Sequence, residues 1–187
     1  MKRANSGPAE PPAAGSGRHA LAWFAAAALS TLLVDLASKV AAVSGLEGRE
    51  PLRLLGGAVY LALTRNSGAA FSLGSGYTVV LTAIAIVVIA VICWIARRLR
   101  SAPWALSLGL ILGGAAGNLV DRLFRAPGPF QGAVIDFISV FDESGGVWPV
   151  FNLADSCLVI GVALALWLEL TGRRMDGSRV RHSEHDD

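Results

Sequence analysis

The stretch Tyr77-Thr-Val-Val-Leu-Thr-Ala-Ile-Ala-Ile-Val-Val-Ile-Ala-Val-Ile-Cys-Trp-Ile-Ala96 decides the fold class. It completes a segment, Ser67 to Ala96, without one charged side chain. As a helix rising about 1.5 Å per residue, such a segment crosses roughly 30 Å of hydrocarbon. Outward from it the pattern repeats. Ser101–Val120 is a second uncharged block; Ala20–Val43 is interrupted only by Asp35 and Lys39, and Val147–Leu168 only by Asp155. Composition agrees, since 53% of the 187 residues are hydrophobic and 16% charged, against about a quarter charged in soluble domains. The fold class predicted is an integral membrane protein, mainly α. Four transmembrane helices, at about 20–43, 77–96, 102–121 and 149–170, carry a small extracytoplasmic β-rich cradle. A soluble bundle of buried helices is the alternative, and span length argues against it.

Basic residues orient the spans. Lys2, Arg3 and Arg18 precede the first; Arg97, Arg98 and Arg100 separate the second from the third. Arg173, Arg174, Arg179 and Arg181 follow the fourth. The positive-inside rule then places both termini in the cytoplasm and segments 44–76 and 121–146 outside. Residues 1–18, rich in Pro, Gly, Ala and Ser, are expected to be a disordered cytoplasmic tail. Residues 19–171 form the membrane domain, and the polar 172–187 a second cytoplasmic tail. Asp35 and Lys39, with no small-residue cleavage site after them, favour an uncleaved first span over a signal peptide. Cys93 and Cys157 lie within spans and support neither a disulfide framework nor a metal site.

The outward segments carry turn signals. Gly56-Gly57 separates two β-compatible runs, Pro51–Leu55 and Ala58–Thr64, as in a hairpin. Pro127-Gly-Pro129 and Gly145-Gly146 flank Val134–Val140, which periodicity leaves open as a strand or a helix start.

Acidic residues stand where hydrocarbon least tolerates them. Asp155 lies within Val150-Phe-Asn-Leu-Ala-Asp-Ser-Cys-Leu-Val-Ile160, and Asp136 within Val134-Ile-Asp-Phe-Ile138. A carboxylate there costs on the order of 2.5–3.5 kcal/mol unless paired or hydrated, which makes both functional candidates. Asp35 and Lys39 share a helix face one turn apart, as a structural clamp or as part of a substrate site. Gly109, Gly113 and Gly117 form a stripe that admits another helix, and Asp121 continues it. Gly114, Asn118 and Arg122 form the neighbouring stripe. Asn152, three residues before Asp155, either orients a carboxylate or the peptide, or caps the fourth span. Counted along the spans, Asp35 lies roughly 8 Å and Asp155 about 12 Å inside the outer boundary. The polar constellation therefore gathers in the outer leaflet. Phe71, Phe137, Phe141, Trp148 and Phe151 are candidate walls, with an interfacial belt the preferred role for Trp148.

The blocks Asp35-Leu-Ala-Ser-Lys39, Asn66-Ser-Gly-Ala-Ala-Phe71, Gly113-Gly-Ala-Ala-Gly-Asn-Leu-Val-Asp-Arg122, Val134-Ile-Asp-Phe137 and Phe151-Asn-Leu-Ala-Asp155 resemble those of the bacterial lipoprotein signal peptidases, or signal peptidases II. The resemblance covers about residues 20–170, in the family's order and spacing; Ser67 is a mild variation. It implies an aspartyl endopeptidase of the cytoplasmic (inner) membrane, active at its outer face. The enzyme would cut prolipoproteins just before a cysteine that already carries diacylglyceryl. By block position Asp136 and Asp155 match the catalytic pair. Asp35, Lys39, Asn66, Gly68, Asn118, Asp121, Arg122 and Asn152 would bind substrate or brace the site. Neither metal nor cofactor is expected, and the partners expected are the diacylglyceryl-prolipoprotein and membrane lipid, without nucleic acid, for a monomer. The chemistry is compatible: two close carboxyls in low dielectric share one proton, one activating water while the other polarises the scissile carbonyl. The competing class is an ion- or proton-coupled transporter, which calls for midplane carboxylates and an internal repeat. Neither is apparent.

Overall fold

The computed structural model describes residues 16–68 and 76–179. Four helices in it are long and apolar enough to cross a membrane: α1 (Ser16–Leu46), α2 (Gly76–Ala96), α3 (Ala102–Phe124) and α4 (Leu153–Leu170). The third is the interior helix, packed against each of the other three. Its glycines explain how. A Cβ on Gly109 would meet Phe24 O at 2.8 Å, and one on Gly113 would meet Thr31 Cβ at 2.6 Å, so this stripe receives α1. A Cβ on Gly114 would lie 2.9 Å from Leu158 Cγ, so the neighbouring stripe receives α4. The outer faces, with Leu33 and Val40 of α1, Ile84 and Val87 of α2, and Val159 and Leu166 of α4, stay apolar and exposed, as a lipid solvent requires.

The first helix, 31 residues and so about 46 Å long, exceeds the hydrocarbon thickness. Its far end supports a sheet: Ala42 and Leu46 pack on Ile135 and Phe137. The sheet is antiparallel, in order β1 (Leu52–Leu54), β2 (Val59–Asn66), β3 (Val134–Val140). The glycine hairpin forms as expected, with Gly56 and Gly57 at φ +69° and +102°. Val134–Val140, open on sequence, is a strand because β2 supplies its ladder.

Two boundaries differ from expectation. The fourth helix begins at Leu153, not near 149, since Phe151 is drawn into a bridge with Ile138 and Asn152 caps the helix. Asp155 is therefore in its first turn, nearer the end of the span than the sequence count placed it. Residues 173–179, expected to belong to the polar tail, form a turn bridged between Arg173 and Arg179. Met175 O accepts Arg100 N and Ser101 N, and Arg173 O accepts Trp104 Nε1 at 2.8 Å. These bonds, with Met175 packed against the core cluster that contains Trp104 and Leu168, hold the turn, and the polar composition of the segment does not register them. Residues 1–15 and 180–187 lie outside the described residues.

Candidate active site

The site starts from a buried ion cluster. Lys39 Nζ reaches Asp35 Oδ2 at 2.7 Å, Asp121 Oδ2 at 2.9 Å and Asn118 Oδ1 at 3.0 Å. The asparagine contact is a hydrogen bond and the two carboxylate contacts are ion pairs. Lys39 and Asp35 have no exposed surface. Asp35 Oδ1 accepts Ala154 N at 3.0 Å, and Asp121 Oδ2 accepts Ile135 N at 3.2 Å, while Arg125 Nε pairs with Asp121 Oδ1. One cluster thus ties α1, α3, the start of α4 and β3 together. Gly117 makes room for it, because a Cβ there would collide with the Asp35 carboxylate.

Asn118 relays the cluster to the first candidate aspartate. Its Oδ1 accepts from Lys39 and from Asn152 Nδ2 (3.1 Å), and its Nδ2 donates to Asp155 Oδ1 at 2.7 Å. Asn152 does what both sequence readings proposed. Its Oδ1 accepts Asp155 N at 2.9 Å and its own N–H donates to Asp155 Oδ2 at 3.2 Å, a reciprocal capping box. Its Nδ2 meanwhile donates to Asp136 Oδ1 at 2.7 Å. A single residue therefore bonds both candidate carboxyls.

The second aspartate reaches this point through strand alternation. Ile135 and Phe137 face α1, so Asp136 between them faces the other way. Asn66 Nδ2 donates to Asp136 Oδ2 at 2.9 Å, and Asn66 Oδ1 accepts Gly68 N at 2.8 Å. Gly68 has φ +97°, and a Cβ there would lie 2.9 Å from Leu81 Cδ1. Arg122 is half-buried, bonds Asn118 O at 3.4 Å, and lies within electrostatic reach of Asp155 and Asp136. Its Nε has no partner among the described residues.

Burial pushes the Asp136 carboxyl up to about 7. The Asp155 charge pushes the same way, while the bonds from Asn66 and Asn152 and the charge of Lys39 oppose both.

Two grooves open on the pair. One of about 290 Å³ runs past Asn66, Asp136, Gly145 and Val150; the other, about 440 Å³ and apolar, runs past Trp148, Phe151, Asp155, Val159 and Ile160. Trp148 and Phe151 are thus walls. Phe137 is a core residue instead, because its strand face is the one covered by α1. Phe141 is exposed at the strand's end and lines neither groove. Phe71 lies outside the described residues.

Each of the ten residues expected from sequence to form the catalytic pair, bind substrate or brace the site is in this network, whereas of the described aromatic candidates only Trp148 and Phe151 border it. Missing from that set were Gly117, read only as a packing glycine; the amides of Ile135 and Ala154, which leave no sequence signal; and Arg125. The last was findable, being four residues after Asp121.

Two carboxyls hydrogen-bonded to one asparagine, at one end of an apolar four-helix bundle, fit the class of membrane aspartic peptidases. Comparison with known proteins agrees. Residues 27–171 match the family model described as Signal peptidase (SPase) II. The chain is 48% identical over 178 residues to the lipoprotein signal peptidase of Mycobacterium tuberculosis (strain ATCC 25618 / H37Rv), covering 95% of this chain and 85% of that one. It is 52% identical over 148 residues to that of Rhodococcus jostii, covering 79% and 72%. A bacterial membrane enzyme solved at 1.9 Å shares the fold at 23% identity, with a TM-score of 0.64 over 84% of this chain and 94% of that one. The chain belongs to the signal peptidase II family, the aspartyl endopeptidases that process prolipoproteins. Membership sets the transporter reading aside.

Proposed function

We propose that Asp136 and Asp155 are the catalytic pair, cutting a prolipoprotein just before its diacylglyceryl-cysteine at the extracytoplasmic face. The observation that carries this is Asn152, which bonds both carboxyls and so holds them in one register. Asp136, with its raised affinity for a proton, is the acid that polarises the scissile carbonyl. Asp155, whose two oxygens accept from Asn118 and Asn152, takes a proton from the attacking water. Asp136 then protonates the leaving amine, and the proton on Asp155 restores the pair for the next cycle. The Asp35–Lys39–Asp121 cluster, buried away from any substrate, acts as the brace, with Asn118 and Asn152 passing its rigidity to the pair.

The apolar groove beside Asp155 suits the acyl chains, which enter sideways without leaving the bilayer. The start of α1, the α2–α3 connection and the 173–179 turn share the end rich in Arg97, Arg98, Arg100 and Arg173. That supports cytoplasmic termini. All the site's residues come from one chain, so a monomer suffices.

The test is cleavage of a prolipoprotein peptide, with and without diacylglyceryl, by purified wild type, Asp136→Asn and Asp155→Asn. Only the lipidated peptide should be cut. Each folded variant should lose about 10²–10⁴-fold in kcat, the scale of general acid–base catalysis. Near-wild-type turnover by either variant would remove that aspartate from the pair.

A further inference from the structure

Beyond the groove over Asp136 the surface continues into another, of about 400 Å³, lined by Glu47, Arg49, Glu143 and the run Ala62 to Arg65. The two adjoin, with Thr64, Arg65 and Ser144 common to both linings. Successive strand side chains point to opposite faces. A bulge against β3 between Leu61 and Thr64 breaks that alternation at Ala62 and Leu63, so it is the pairing, not the lining side chains, that marks this part of β2 as an edge. On this edge β1 ends early: its last pair is Leu52 with Leu61. Thr64, Arg65 and Asn66 pair with β3 on the opposite side. Among the described residues, no backbone hydrogen bond joins Ala62–Asn66 to the 47–51 segment that forms the groove's other wall. An unpaired edge is a template for an added strand.

We infer that this edge of β2 docks the polypeptide that follows the cleaved bond, as an added antiparallel strand. The inference rests on the peptidase reading above. Direction follows from topology. The strand runs toward the site and ends at Asn66, which holds Asp136. A product chain leaving the site from its N-terminus outward must run the opposite way along that edge. The edge runs from Ala62 to Asn66, and its regular part beyond the bulge, Thr64 to Asn66, spans about 10 Å at roughly 3.3–3.4 Å per residue. The other limbs of the substrate, acyl chains and signal segment, are apolar and belong in the bilayer. Only the mature chain is polar and needs a route away from it. Of the charges lining the groove, Arg65 and Glu47 pair with each other from its two walls, and Arg49 and Glu143 are of opposite sign, so it reads main chain more than any one side-chain charge.

The test uses the full-length enzyme and diacylglyceryl peptides N-methylated at single residues after the cleaved bond. An added strand directs alternate amides to its neighbour. KM should then rise about fivefold or more at every second residue within the first five or so, with kcat little changed. Methylation further along should be silent. Should the unmodified peptide remain uncut, the peptidase reading falls and this inference with it. Should it be cut with a KM indifferent to methylation, or raised equally at all positions, edge docking alone is overturned.

Discussion

Lys39 meets Asp35 at 2.7 Å and Arg65 meets Glu47 at 2.5 Å, yet the two ion pairs live in different solvents. The first has no exposed surface; the second is about half exposed, at 52% and 53%. Inside the bundle a lost partner leaves a charge with neither water nor counter-ion. On the cradle, water and salt replace the partner at little cost. Similar contact lengths therefore carry different weight. The buried cluster can fix four elements in register, whereas the surface pair decorates the rim of a groove.

The contrast is broken most severely at Lys39. Lys39→Ala leaves Asp35 and Asp121 facing each other without a cation, and should cost about 3–5 kcal/mol, read by thermal unfolding in detergent. A melting temperature equal to wild type would mean that the cluster is not the brace. Gly117→Ala comes next. Its methyl group meets the Asp35 carboxylate, and the displacement should cost about 1–3 kcal/mol and lower turnover as well. Loss of stability without loss of activity would separate the brace from the proposed catalytic pair.

A smaller effect sharpens the comparison through pH. The Asp136 value of about 7 exceeds its ordinary 3.8, so the folded protein holds an extra proton between those values. Its contribution to stability is complete below about pH 4 and is lost as pH rises through about 7. Activity that needs the protonated acid should fall over the same alkaline limb. Since Asn66 donates to this carboxyl and favours its charged form, Asn66→Ala should move that limb upward by about one pH unit. A shift downward in the pH–rate profile would contradict the role given to that bond. The least effect is expected at the surface pair. Glu47→Gln should leave the melting temperature indistinguishable from wild type, and a clear drop would show that the rim pair supports the cradle after all.

Much of the site was legible as a set of residues and little of it as an arrangement. Asp35 and Lys39 announce their pairing because four residues make one helical turn. Asp121 gives no such sign that it shares the same ammonium, since its partner sits on another helix. Asn152 could be read as a cap or as an orienting group; only the docking of Phe151 against Ile138 brings its amide to Asp136 and lets it be both. Phe137 looked like a wall residue because aromatic character is visible in sequence, whereas the face it occupies depends on where α1 lies.

By itself the sequence determined the features that depend on local pattern. These are four apolar spans, a glycine hairpin, the small-residue stripes of α3, and five motif blocks specific enough to indicate the family. Hydrophobic length and i,i+4 spacing are properties of one segment, so they need no partner to be read. Tertiary structure alone decided that Val134–Val140 is a strand, that α4 starts at Leu153, that one asparagine bonds both aspartates, and that β2 leaves an edge bare. Each of these is a relation between segments distant in the chain. Its free energy comes from a ladder partner, a desolvated charge or a close helix approach that exists only once the fold has formed.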